Sequence, residues 1–402
     1  MKVGVYIVEN LTPSHGGTFS YSNKLIASID NYAFKSPIEI CFVGRERLPE
    51  IALKRKYVAI SSLRKYNFFQ TLRRFRILKA LSVFFGQGVD LCNKNDHKIL
   101  IANNVDLILY PKQFSPLIES FPFLTMNWDI GHKTTYIFPE FSRSIDYRDQ
   151  WYRSEIQKAL GVIVESQSGK REFVDHLQFH ESKVDVVPLF AGRVIDLNVN
   201  QSMQEKDLAD HKLEPLGYYL YPAQFWAHKN HYNLLKGFKL LHEKRIKKNL
   251  KLVFTGYDSG NKRYISQVIN ELGLNEVVVD LDFVQDELLF SLYKNCIALV
   301  MPSFLGPTNM PLLEALALKT AIICSDLKGH REMCSDAAIY VDPAEPLQWA
   351  KAMQTLLDEN VRQQYIKNGI NVYATSIFKI GHAMINLEII LLKYANIRGT
   401  FK

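Results

Sequence analysis

Short apolar runs, each bounded by glycine, proline or polar clusters, alternate along this chain with longer stretches of helical periodicity. Strands buried on both faces of a parallel sheet read as such continuous runs, and the stretches between them supply crossover helices. In the first half the expected strands are Val3–Val8, Ile38–Val43, Ile99–Ala102, Leu107–Tyr110, Phe123–Met126, Gly161–Ser166 and Val184–Pro188, with helices over Phe19–Ile29 and Lys170–Leu177. Leu197–Glu214 is rich in Asn, Gln, Lys and Asp and suggests a linker. The alternation then resumes with strands Tyr218–Tyr221, Leu252–Gly256, Val277–Phe283, Ile297–Pro302, Ala321–Cys324 and Ala338–Val341. Helices are expected over Tyr232–His242, Tyr264–Leu272, Glu287–Tyr293, Leu347–Asp358 and Glu359–Ile370, and one starting at Pro311. A last helix spans Ile377–Ala395. The reading is an α/β protein with a domain over 1–195, a linker over 196–214, a second domain over 215–375 and a helical tail over 376–402.

Candidate chemistry concentrates in Phe304-Leu-Gly-Pro-Thr-Asn-Met-Pro-Leu-Leu-Glu-Ala-Leu-Ala-Leu318. Gly306, Pro307, Thr308 and Asn309 are turn formers, and Pro311 suits the first helical turn. The helix that follows is apolar except for one carboxylate, Glu314, one turn in. A helix N-terminus is a site for phosphate, and a buried carboxylate needs hydroxyls or a cation. A nucleotide's ribose beside its diphosphate meets both demands; the plain alternative is a glutamate balancing the helix dipole. His15-Gly16-Gly17, between first strand and first helix, either lets a ligand approach the backbone or makes a tight turn. Trp128, Asp129 and His132 follow the C-terminal end of a strand, the edge where open α/β sheets bind ligands. Their plain alternatives are a turn cap for Asp129 and a surface position for His132. Lys229, at a strand-to-helix junction, adds an ammonium to a second helix start. Trp226, His228 and His231 around it are packing residues or ligand contacts.

The 304–318 segment resembles the signature of the group 1 (family 4) retaining glycosyltransferases, whose GT-B fold sets two Rossmann-like domains with parallel sheets facing a deep cleft. The family pattern is Glu, seven residues, Glu, within Glu-Gly-Phe-Gly-Leu-Pro-x-x-Glu. Glu314 matches the second glutamate, which binds the ribose, whereas the first, which contacts the donor sugar, falls on Gly306. Lys229 matches a diphosphate-binding lysine that follows an arginine by five residues, and Gln224 takes the arginine's place. The resemblance implies catalytic roles for His132, Asp129, Lys229 and Glu314. It implies donor contacts at Gly16, Gly17, Gln224, Phe283, Val284, Thr308, Asn309 and Met310, with Phe283 and Val284 at the nucleobase. It implies no metal, no cofactor and a last helix that crosses back onto the first domain. Trp128-Asp129…His132…Phe138-Pro-Glu and Gly306-Pro-Thr-Asn look like bacterial enzymes of surface-polysaccharide (O-antigen) assembly, which often use GDP-mannose or dTDP-rhamnose. The implied reaction moves a hexose from such a nucleotide-sugar, or a UDP-sugar, to a saccharide or lipid-linked oligosaccharide acceptor. The Gln224 and Gly306 departures leave open a catalytically weak GT-B subunit that binds a partner glycosyltransferase.

Composition adds a location. Hydrophobic content of 47% with 22% charged residues is that of an ordinary globular chain. No apolar run reaches the ~18 residues a membrane span needs, so none is expected. The N-terminal Met1-Lys-Val-Gly-Val-Tyr-Ile-Val has neither a basic region nor a cleavage site and reads as a strand. The five cysteines, Cys41, Cys92, Cys296, Cys324 and Cys334, are scattered and suggest reduced core residues of a cytoplasmic protein. The net charge of +8 lies in one place: nine basic residues and no acidic one between Lys54 and Lys79, interleaved with aromatics such as Tyr66, Phe68, Phe69 and Phe75. Such a segment suits an anionic surface, with membrane, nucleic acid and plain solvent as candidates. No stacking platform or recognition helix accompanies it, so nucleic acid is not expected. Peripheral attachment to the inner face of the cytoplasmic membrane through 54–79 is.

Overall fold

The fold rests on two all-parallel sheets, one in each half of the chain. The computed structural model describes residues 1–7, 11–35, 37–45, 53–61, 94–115, 117–118 and 121–400. The first sheet is built from β1 (Lys2–Tyr6), β2 (Glu39–Gly44), β3 (Tyr57–Ala59), β4 (Leu107–Tyr110), β5 (Phe123–Met126), β6 (Gly161–Val164) and β7 (Val184–Val186), in the order β3-β2-β1-β4-β5-β6-β7. The second uses β8 (Tyr218–Pro222), β9 (Lys251–Thr255), β10 (Val278–Asp280), β11 (Ala298–Met301), β12 (Ile322–Ser325) and β13 (Ala338–Val341), in the order β10-β9-β8-β11-β12-β13. Central strands are buried throughout, as β4, β5, β11 and β12 show, which is why they read as unbroken apolar runs. Each order reverses beside its first strand, at β1/β4 and at β8/β11. Loops leaving the two sheets at such a reversal enclose a crevice. The architecture is the GT-B fold.

Three expectations need correction. The run 99–102 is not a strand, because 94–102 is helical, with Leu100 buried and Ile101 64% exposed. An Ile-Leu-Ile-Ala run fits one helical turn as well as a strand, and Asn104, at φ 56°, ends the helix. The supposed linker contains a helix, Gln201–Asp210, capped by Asn200 Oδ1 accepting from the Met203 N–H at 2.9 Å. Only Leu208 of that helix is buried, so it shows no apolar period, and Asp207 accepts the Ser291 hydroxyl at 2.5 Å. Finally, 359–399 is long and apolar enough, by length and composition, to cross a membrane. It consists of two helices, Glu359–Thr375 and Ile380–Gly399, and Ala383, Met384, Leu387, Ile390 and Leu391 of the second are core residues. Packing accounts for that face, while Ile385, Ile389 and Ile397 are exposed.

That last helix crosses back to the first sheet. Glu388 accepts the Tyr32 hydroxyl at 2.9 Å, and Lys393 Nζ meets Asp185 at 2.9 Å. Arg398 meets Asp106 at 2.7 Å. One apolar cluster runs from Val3 and Leu25 through Leu387 to Leu220 and Leu313, so the halves share a continuous core. Cys41, Cys296, Cys324 and Cys334 are buried free thiols. Cys92 and most of the 54–79 segment lie outside the described residues.

Candidate active site

The loops after β1, β5, β6, β8, β9, β10 and β11 enclose one cleft of ≈ 620 Å³ between the halves. At its centre is the Met310–Leu318 helix. Asn309 stands at the N-cap yet makes no side-chain cap. Its Oδ1 accepts from Lys229 Nζ at 3.0 Å, and its Nδ2 donates to His330 Nε2 at 2.9 Å. His330 Nδ1 donates to the Ser325 carbonyl at 2.8 Å, which fixes the ring tautomer. Burial pushes this histidine down to about 4, so it stays neutral and accepts. The N-cap side chain is thus spent on the lysine, and Met310, opening the helix, has an N–H with no helical acceptor. Burial lowers the Lys229 ammonium to about 8. An anion at this point would restore the charge and meet both donors.

One turn further, Glu314 is 7% exposed on the cleft wall. Its Oε2 accepts the Tyr293 hydroxyl at 2.8 Å and its Oε1 the Gly192 N–H at 3.2 Å. Burial raises it to about 7. Across the cleft, Gly16 takes φ 56°, and a Cβ there would come within 3.1 Å of the Gln224 side chain. Gln224 Oε1 accepts from Trp226 Nε1 at 3.1 Å. Gly17 opens the first helix with free space before it. Phe283 stacks on Tyr257 at 4.7 Å and 17°, beside Val284, and all three line the cleft with Thr308. Gly306 has φ 142°, and a Cβ there would sit 2.8 Å from the Thr308 carbonyl, so no side chain is accommodated in this conformation.

Two expected contacts behave differently. His132 does not line the cleft: it is 1% exposed, stacked on Tyr152 at 4.8 Å, with Nε2 3.4 Å from Asp149. Burial lowers it to about 4. The short helix Gly131–Thr134 turns its ring inward against the first sheet's core, and sequence spacing does not encode that direction. Asp129 does line the cleft, but its Oδ1 accepts from the Gly131 N–H at 2.8 Å and Arg148 Nη2 at 2.5 Å. It is engaged as a turn cap and ion-pair partner. Among the flanking residues, His231 packs flat on Phe225. His228 Nδ1 meets Glu140 at 2.5 Å, joining the halves. Burial opposes ionisation of Glu140, but the His228 bonds outweigh it and hold the carboxyl below its ordinary value. Sequence reading missed Tyr257 and Glu165 as cleft residues; the one available signal was a carboxylate directly after a strand. Among the described residues no His, Cys, Asp and Glu group is arranged to hold a metal.

Residues 203–372 match the family described as "Glycosyl transferases group 1". The chain is 28% identical over 158 residues to the O-antigen chain mannosyltransferase RfbU of Salmonella typhimurium, covering 39% of this chain and 43% of that one. Relatives of this kind are matched over about half of their length or less. Among solved structures, a glycosyltransferase from Rickettsia africae superposes with TM-score 0.69 at 15% identity, over 96% of this chain and 97% of that one. Anabaena HepE, solved with UDP and glucose, superposes with TM-score 0.67 at 15% identity, over 98% and 99%.

Proposed function

We propose, from the match of residues 203–372 to the group 1 glycosyl transferases, that the protein moves a hexose from a nucleotide-sugar to a saccharide acceptor. The observation that carries the reading is the helix start left open beside Lys229, with Glu314 one turn further in. The nucleobase lies along Tyr257, Phe283 and Val284, the ribose hydroxyls on Glu314, and the diphosphate at Lys229 and the Met310 N–H. The acceptor enters from the first domain, over 1–195, past Gly16, Gly17 and Asp129. As the bond between the anomeric carbon and phosphate oxygen breaks, the diphosphate gains charge, and the lysine and helix N-terminus stabilise it. That phosphate oxygen takes the acceptor hydroxyl's proton, and the glycosidic bond forms on the same face, retaining configuration. The ammonium and the helix dipole do the work of a metal ion here, so the reaction is metal-independent.

The favoured donors are GDP-mannose and dTDP-rhamnose, with UDP-sugars next; the similarity to an O-antigen mannosyltransferase supports the first. The acceptor is a lipid-linked saccharide of bacterial surface-polysaccharide synthesis, met at the inner face of the cytoplasmic membrane. A thermal-shift panel of GDP, UDP and dTDP, followed by turnover of the matching sugar nucleotide with the purified protein, tests the reading. A hundredfold excess over Kd adds about 2.7 kcal/mol of stability. Binding without turnover would favour a GT-B subunit that serves a partner enzyme, as the Gln224 and Gly306 positions suggest. Absence of any shift would remove the proposal.

A further inference from the structure

Glu165 is a cleft carboxyl that the ribose and diphosphate seats do not use. It directly follows β6, lines the cavity and is 8% exposed. The Leu189 N–H bonds its backbone carbonyl at 3.0 Å, which fixes the main chain. Its Oε2 accepts the Thr308 hydroxyl at 2.6 Å, so a carboxyl of the first sheet reaches a loop of the second, one residue before Asn309.

Chain order and hydrogen bonds set three polar groups of the cleft in sequence: Glu314 lies four residues beyond Met310 at the helix start, Lys229 meets Asn309, and Glu165 meets Thr308, one residue earlier. With ribose on the first and diphosphate on the second, the sugar falls on the third. Gly306 gives nothing to that wall, since no side chain fits there. Burial, with Asp129 nearby, raises Glu165 to about 8. At neutral pH it therefore enters the cleft protonated, able to donate one hydrogen bond and accept others, which matches a sugar hydroxyl. A tie between two loops would not need such a group. Burying a carboxyl costs stability that an amide at the same place avoids.

We infer that Glu165 is a sugar-contacting residue: reaching from the first domain to the Gly306–Thr308 loop, its carboxyl holds a hydroxyl of the sugar that is transferred. The inference rests on the nucleotide-sugar reading of the cleft, and the test separates the two. Calorimetric titration compares wild type, Glu165→Ala and Glu165→Gln with GDP, UDP and dTDP, and with GDP-mannose, UDP-glucose and dTDP-rhamnose. The readout is the ratio of sugar-nucleotide affinity to nucleoside diphosphate affinity, which a purely structural tie leaves unmoved. For the nucleotide that wild type binds, Glu165→Ala is expected to lower the ratio about tenfold, the size of one lost hydrogen bond. Glu165→Gln, which still donates and accepts and is the safeguard if the alanine variant does not fold, is expected to hold it within about threefold. Diphosphate affinity is expected to be unchanged in both. An unchanged ratio in Glu165→Ala, or a diphosphate affinity that falls as far as the sugar-nucleotide affinity, overturns the inference. No nucleotide binding by wild type instead overturns the reading of the cleft.

Discussion

Glu314 is held under two opposed demands. Its burial makes the ionised form costly, and its bonds from Tyr293 and Gly192 only partly offset that. Because the folded value is raised to about 7 from an ordinary 4.5, the native state holds a proton that the unfolded chain releases. Stability of the free protein therefore falls as pH rises from 4.5 through about 7 and stays lower above it. Glu314→Gln removes this term and should melt higher than wild type at pH 8. The same change should cripple donor use, by roughly 1.5–3 kcal/mol, because an amide holds ribose hydroxyls less well than a carboxylate. Melting curves and steady-state rates on one preparation check both halves; unchanged turnover would remove Glu314 from the ribose. Lys229 responds at higher pH, and in binding rather than stability. Its free-state value of about 8 rises when a diphosphate binds, so binding takes up a proton. Nucleoside diphosphate affinity should be full below pH 8 and weaken above it, and titration in two buffers of different protonation enthalpy measures the uptake. Lys229→Ala should keep its circular dichroism and lose about 2–4 kcal/mol of transition-state stabilisation. That Lys229 and Glu314 line the cleft was legible in sequence, because each sits at a fixed offset from a helix start. His132 was misjudged because residue type and proximity to a strand end say nothing of which way a short helix turns its ring.

At the scale of elements, two helices that open on the cleft start without a side-chain cap. Ser166, Asn200 and Asp358 cap their helices with side-chain oxygens, whereas the Gly17–Asn31 and Met310–Leu318 helices have no such cap. The Gln167–Leu177 helix has a second partner from the other half: Glu332 accepts from the Gln167 N–H at 2.8 Å and the Ser168 N–H at 2.7 Å. Glu332→Ala should cost about 1 kcal/mol, the usual loss for an N-terminal cap. Because the bonds cross the cleft, small-angle scattering should also show a more open molecule; a loss of stability with unchanged dimensions would make the contact purely local. Long apolar strands and amphipathic helices were legible because burial on a sheet leaves a continuous apolar run. The 94–102 helix and the Gln201–Asp210 helix were not. One hides in a run too short to separate the two periods, and the other is held by polar bonds and a single leucine.

For the whole molecule, location is a question of charge. Nine basic residues in one acid-free segment, at about 1 kcal/mol each near an anionic leaflet, would hold the protein there reversibly even if only half engage. The protein should sediment with anionic vesicles at low salt and be released at high salt. Changing Arg73, Arg74 and Arg76 to glutamate should abolish the binding, and failure to bind anionic vesicles at low salt would point to a soluble acceptor. The path of the chain has a mechanical consequence as well. It passes between the halves twice, once after Gly192 and once between the Glu359–Thr375 and Ile380–Gly399 helices. A single tether lets two bodies twist, slide and swing, whereas a pair of pins leaves chiefly the swing. Gly192 lies at one pin and holds Glu314. The proposed ribose seat is therefore close to the axle of the door, and the Glu165–Thr308 contact belongs to its leaves. On the proposed reading, a nucleotide would ride through the swing in place while the sugar end is gripped and let go.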